Sequence, residues 1–204
     1  MVTRLGVLGG TFDPIHFGHL IIAEEARVQL RLPEVRFIPA GQPPHKGERR
    51  ITPGRHRLEM VRRAVADNPA FTVSAQELDR PGPSYTVDTL AWLQEEQGPQ
   101  CSLYFVVGGD ALADLLAWRE PDRLLRLATL VAVRRPGAQL ADIRVLEARL
   151  PGLRQRLILL DSPQLDVSGS DIRRRVCAGL PIRYQVPEPV RSYIEEEGLY
   201  RDHD

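Results

Sequence analysis

The chain has 204 residues, 43% of them hydrophobic and 26% charged, enough for one globular domain with a substantial core. Its 27 basic and 27 acidic residues cancel, so bulk charge gives no reason to expect nucleic acid or an anionic membrane as a partner. The two cysteines, Cys101 and Cys177, lack CxxC spacing, which argues against a disulfide framework or structural zinc and suits a reducing, cytoplasmic setting.

The first residues lack the apolar run of a signal peptide, and no stretch approaches the roughly 18 apolar residues of a membrane span. Residues 4–8 predict a first strand ending in Gly9-Gly10. Residues 19–32 place Leu20, Ile21, Ala23, Ala26, Val28 and Leu30 at near-helical spacing. A second strand is predicted over 35–38, followed by a loop over 39–47 whose three prolines and two glycines rule against regular structure. A helix over 55–67, a strand over 71–74 and a helix over 86–97 come next, the last behind the turn-rich segment 79–84. The strand over 102–107 stops at Gly108-Gly109-Asp110. Short helices are predicted over 111–116 and 121–127, and strands over 130–133 and 157–160. Closing helices cover 170–178 and 188–197, the second stopped by Gly198. Segment 138–156 is amphipathic and reads as surface helix and connector.

Strands alternating with helices predict an α/β fold: a Rossmann-like, doubly wound, mostly parallel sheet with helices on both faces. Residues 1–204 read as a single domain, because no linker-like stretch divides them. Such sheets bind ligands outside the carboxyl ends of their strands. Residues 9–19, 39–47, 108–110 and 134–137 all follow predicted strands.

The first of these loops carries the most chemistry. Glycines after a strand expose backbone N–H groups, and a helix starting near His16–Gly18 points its partial positive end at the same place, which favours phosphate. His16 and His19, three residues apart, share a helical face and can donate hydrogen bonds to phosphate oxygens. A plain tight turn remains open, as do core packing of the histidines and a metal site completed by Asp13 or His45. The GxGxxG fingerprint of hydride-transfer dehydrogenases is absent. Ser168-x-x-Asp171 is a capping box in form, which does not preclude phosphate at the same helix terminus.

The run Gly9-Gly10-Thr11-Phe12-Asp13-Pro14-Ile15-His16-Phe17-Gly18-His19 resembles the HxGH signature of the nucleotidyltransferase superfamily. Four further segments are similar, in order, to bacterial nicotinate-mononucleotide adenylyltransferases. They are Pro43-Pro44-His45-Lys46, Ser84-Tyr85-Thr86-Val87-Asp88-Thr89-Leu90, Gly108-Gly109-Asp110 and Arg135-Pro136-Gly137. A fifth, Val167-Ser168-Gly169-Ser170-Asp171-Ile172-Arg173, has glycine where that family more often carries a second serine. The resemblance spans the chain. Its length and SYTxDTL segment favour the pyridine-nucleotide enzymes over the pantetheine-phosphate adenylyltransferases and cytidylyltransferases. A regulatory module that binds nucleotide without chemistry would not need both histidines, Lys46 and Arg173.

The resemblance implies a reaction. The 5′-phosphate of nicotinate mononucleotide attacks the α-phosphorus of ATP, pyrophosphate leaves, and nicotinate adenine dinucleotide forms. It implies His16, His19, Lys46 and Arg173 as catalytic residues. Gly9, Gly10, Thr11, Phe12, Gly18, Gly108, Asp110, Ser168 and Ser170 are implied at ATP and its phosphates, Asp110 as a ribose acceptor. Tyr85, Thr86 and Trp118 are implied at the mononucleotide, with backbone N–H groups near Tyr85 and Thr86 on the nicotinate carboxylate and Trp118 stacked on the pyridine ring. On sequence alone Asp110 and Thr86 equally suit helix caps, Lys46 and Arg173 solvated cations, and Trp118 or Trp92 the core. Mg²⁺ is expected to arrive with ATP, with no protein ligand named. ATP and nicotinate mononucleotide are the expected partners, homo-oligomerisation is left open, and the loop over 39–50 is expected to order on substrate binding.

Overall fold

The computed structural model describes residues 3–43, 51–133, 142–163 and 165–201. Lys46, His45 and the Arg135-Pro136-Gly137 segment lie outside these residues, as does most of the 39–50 loop.

Six strands build one sheet: β1 Thr3–Gly10, β2 Glu34–Pro39, β3 Phe71–Val73, β4 Cys101–Gly108, β5 Ala128–Val133 and β6 Leu157–Leu160. Their order is β3-β2-β1-β4-β5-β6 and every adjacent pair is parallel. That is the strand order of doubly wound dinucleotide folds, with its switch point between β1 and β4.

The predicted β/α alternation holds. The helices are α1 Phe17–Gln29, α2 Gly54–Val65, α3 Gln76–Asp79, α4 Thr86–Gln97, α5 Pro121–Leu127, α6 Ile143–Arg149, α7 Gly169–Cys177 and α8 Glu188–Glu196. Three of their placements change the sequence reading. β1 continues through Gly9 and Gly10, because these residues pair in register with Ile38 and Pro39 of β2. α1 therefore starts two residues earlier than its periodicity suggested, with His16 as its N-cap. Residues 111–116 do not form a helix; two 3₁₀ turns, Gly109–Leu112 and Leu115–Ala117, carry the chain instead.

Parallel strands covered on both faces must be apolar on both. The alternation in β4 sends Leu103, Phe105 and Val107 into one core with Leu90 and Leu93 of α4 and Leu124 of α5. Val106 enters the opposite core with Ala23 of α1, Met60 and Val61 of α2, and Val190 and Ile194 of α8. The chain closes on a Schellman turn after α8. Gly198, at φ 62°, gives its N–H to Glu195 O, and Leu199 gives its N–H to Ile194 O. This reversal returns Tyr200 to the carboxyl edge of the sheet.

Candidate active site

Beyond the carboxyl ends of β1 and β4 lies a cavity of about 260 Å³, at the switch point where this topology places ligands. Gly9, Gly10 and Thr11 form one wall and Gly108 and Ala111 another, while Thr86 and Trp118 face the space from its far side. Ser84 and Thr89 of the SYTxDTL segment also line it, as does Glu77, to which sequence reasoning assigned no role.

At the start of α1 the two histidines form a compact unit. Their rings stack at 3.8 Å between centroids, and the His16 N–H donates to Nδ1 of His19 at 3.3 Å. An accepting Nδ1 leaves the neutral ring's proton on Nε2, which makes His19 a donor there. The edge of Phe12 meets the His19 ring at 5.0 Å, so packing fixes the imidazole on two sides. Phe12 reaches this place from a left-handed backbone at φ 49° and is buried. It thus acts from the core side of the phosphate loop. Gly18 lies against the His16 ring.

Of the two residues that could complete a metal site with these histidines, His45 lies outside the described residues and Asp13 is engaged elsewhere. Its carboxylate takes the Tyr200 hydroxyl at 2.7 Å and the Thr52 N–H at 3.4 Å. Among the described residues no group of three or more His, Cys, Asp or Glu is placed to hold a metal ion. Burial and the neighbouring Asp13 carboxylate push the Tyr200 phenol well above its ordinary range, so it remains a donor.

α7 presents its N-terminus to the same loop. Ser168 caps it, its Oγ accepting the Asp171 N–H at 3.1 Å, as the capping-box spacing predicted. Arg173, one turn on, donates to the Asp13 carbonyl and to Ser170 Oγ at 3.2 Å. Gly169 is the departure from the resembled pattern, and packing supplies a reason for it. A Cβ there would lie 2.8 Å from the Asp13 carbonyl oxygen, so the missing side chain lets α7 close on the phosphate loop.

The opposite end of the cavity is built by α4. Tyr85 is the N-cap and Thr86 the first helical residue, so Thr86 does not cap the helix. Tyr85 spends its N–H on Pro83 O at 3.2 Å, and its ring lies 4.6 Å from the Arg119 guanidinium carbon. The Asp88 N–H is taken by Tyr85 O at 3.1 Å, so Thr86, which lines the cavity, offers its N–H from the first position of α4. Trp118 faces two environments. It packs edge-on against Phe105 at 6.1 Å and also lines the cavity, whereas Trp92 only packs on the core. Asp110 lies inside a 3₁₀ turn rather than ahead of a helix, so its cap reading falls.

Beneath the cavity lie two buried charged groups that sequence reasoning missed. Arg57, 2% exposed, donates to Thr52 O at 2.8 Å, Thr11 O at 2.8 Å and Ala40 O at 2.7 Å. Burial pulls its guanidinium below the ordinary value, and the carboxylates of Asp13 and Glu77 oppose that pull. Glu77 takes the Thr89 hydroxyl at 2.6 Å. Burial pushes its carboxyl above the usual range, against the hydroxyls of Thr89 and Ser84. A signal for Arg57 existed: with Met60, Val61 and Ala64 it completes the i, i+3, i+4, i+7 stripe that faces the core. Glu77, in a four-residue helix, left no periodic signal.

The cytidylyltransferase-like family model matches residues 7–175. A Roseiflexus sp. protein named "Probable nicotinate-nucleotide adenylyltransferase" is 56% identical over 197 residues, covering 97% of this chain and 98% of the relative. A protein of the same name from Thermomicrobium roseum is 50% identical, covering 98% and 92%. The fold matches that of the Plasmodium falciparum nicotinic acid mononucleotide adenylyltransferase complexed with NaAD, at a TM-score of 0.77 and 20% identity over 97% of each chain. With a cavity at the switch point, the stacked histidines on the loop that leaves β1 and near-complete coverage at more than half identity, the chain belongs to the nicotinate-nucleotide adenylyltransferase family.

Proposed function

We propose that this protein joins nicotinate mononucleotide to the AMP moiety of ATP, releasing pyrophosphate and forming nicotinate adenine dinucleotide. The observation that carries the reading is the cavity at the β1–β4 switch, lined by Gly9, Gly10, Thr11, Gly108, Thr86 and Trp118. From that glycine loop the chain runs into the stacked His16 and His19 at the start of α1, and the N-terminus of α7 packs on Asp13 of the same loop.

A phosphate monoester is an anion at neutral pH and needs no general base. Its oxygen attacks the α-phosphorus, a new P–O bond forms, and the bond to the bridging oxygen of the β-phosphate breaks opposite to it. The displaced electron pair leaves on pyrophosphate. Catalysis is then positioning and charge stabilisation. His19 donates from Nε2 to the ATP phosphates, with His16 stacked behind it. Backbone N–H groups of Gly9, Gly10 and Thr11 hold the phosphates where the two substrates meet. Arg173 and Ser170, at the α7 terminus, hold the β- and γ-phosphates, with Lys46 as a further cation. Asp110 and Gly108 lie toward the ribose of ATP.

Mg²⁺ on ATP would neutralise phosphate charge while drawing its oxygens mainly from phosphate and water. At the far end, Trp118 stacks on the pyridine ring. The Thr86 N–H and the partial positive charge of the α4 terminus receive the nicotinate carboxylate, whereas an uncharged amide gains less there.

Pyrophosphate release with ATP and either mononucleotide tests this. Release with the nicotinate form, and much less with the nicotinamide form, is expected. Binding of both substrates without release would refute the reading.

A further inference from the structure

We infer that Arg57 is a positioning residue for the transfer step, a clamp that sets the distance between the two loops on which the substrates meet. The inference rests on the adenylyl-transfer reading above. The loop after β1 holds phosphates, and the loop after β2 leads from Ala40 toward Pro43 at the cavity wall. These loops share one main-chain bond, Ala40 N–H to Gly10 O at 2.8 Å. Beyond it the two strands have ended and the sheet no longer holds them.

Arg57 takes over at that point. A single nitrogen, Nη1, bridges Thr11 O and Ala40 O at 2.8 and 2.7 Å, one carbonyl from each loop. Nε ties the same guanidinium to Thr52 O ahead of α2, and Nη2 lies 3.4 Å from Gly41 O. The side chain is buried in α2, itself packed through Met60 and Val61 into the core, so the clamp stands on a rigid support. Among the described residues no carboxylate ion-pairs directly with it. Its bonds go to main chain, where the partners are the loops' own positions.

Glu77 holds the second loop from the other side. Ser84 Oγ accepts the N–H groups of Gly41 and Gln42 at 2.9 and 3.2 Å, and Gly41 lies so close to the Glu77 backbone that a Cβ would come within 2.1 Å of its carbonyl oxygen. The Ala40–Gly41 peptide is thereby held between Arg57 and the 77–84 segment. A guanidinium suits this role because its donors diverge in a fixed plane. A lysine ammonium keeps the charge but supplies one nitrogen, which cannot span carbonyls in three segments at once.

In-line displacement is sensitive to such spacing, since a misplacement of about 1 Å can cost about 100-fold. Substrate affinity, spread over many contacts, should change far less. Arg57→Lys should therefore remain folded, with kcat lower by about 30- to 100-fold and each KM within about threefold of wild type. Gly41→Ala leaves Arg57 intact but forces the second loop away from Glu77, and it should give the same fall in kcat without a matching rise in KM. Both variants would be compared with wild type by steady-state pyrophosphate release, with circular dichroism confirming the folded state at the assay temperature. A purely structural arginine would lower the melting temperature and leave kcat of the folded enzyme near wild type. That result in Arg57→Lys, or in Gly41→Ala should Arg57→Lys not fold, would overturn the proposal, as would a loss confined to KM. Absence of release by the wild-type protein would instead strike at the transfer reading itself.

Discussion

His19 illustrates how a residue's role depends on what holds it. A lone imidazole has two tautomers and a free ring rotation; here the His16 N–H on Nδ1, the stacked His16 ring and the Phe12 edge select one of each. A donor fixed before substrate arrives costs no reorganisation when charge develops. His19→Ala should therefore keep the fold and lower kcat by about 100- to 1000-fold, the loss typical of one such donor, as read by pyrophosphate release. Glu77 makes a different prediction, about stability. Its folded carboxyl is raised above the usual carboxylate range, chiefly by burial. At acidic pH both states are protonated; as pH rises past the unfolded-state value the unfolded chain ionises before the buried carboxyl does, and stability falls until the folded carboxyl ionises too. Glu77→Gln removes this dependence. Urea titrations should show the variant gaining on wild type from pH 4.5 to pH 7; a constant difference would refute the assignment. Neither behaviour was readable from composition. The HxGH spacing identified the histidines, whereas Glu77 matters only because α3 carries it under α4, a long-range contact without local signature.

At the scale of elements, the sequence was most legible where local chemistry and tertiary packing agree. α4 begins and ends where predicted, because the turn before it and Gly98 after it, at φ 81°, leave no room for drift. β1 was read two residues short because glycine is a poor strand former on its own, and only pairing with Ile38 and Pro39 keeps it extended. Residues 111–116 carried helical apolar spacing, but the chain must turn there to bring Trp118 back against Phe105, so 3₁₀ geometry replaces α. The site followed the same division. The phosphate end was legible as contiguous motifs, while Arg57 and Tyr200 reach the phosphate loop from distant segments. The α8 terminus is the element-scale test. Gly198 adopts φ 62°, and alanine there should cost about 1 kcal/mol or more of unfolding free energy. Chemical denaturation would measure it, and an unchanged midpoint would mean that the Schellman turn carries no weight in folding.

For the whole molecule, the sheet order decides where chemistry can occur. Reversal of the strand order at β1 and β4 opens the crevice, α1 and α7 bring two helix N-termini to the loop after β1, and α4 begins at Thr86 on the cavity lining. Tyr200, 187 residues from Asp13 in sequence, closes the arrangement from behind. Three convergent helix termini and a buried guanidinium beneath them suit two polyanionic substrates, with no side chain required to carry the adenylyl group. The central claim is this direct transfer. It is tested by supplying nicotinate mononucleotide with ATP bearing sulfur at one stereochemical position of its α-phosphorus, and determining the configuration of the dinucleotide product. A single in-line displacement predicts inversion at phosphorus; retention, the mark of a covalent enzyme intermediate, would contradict the account.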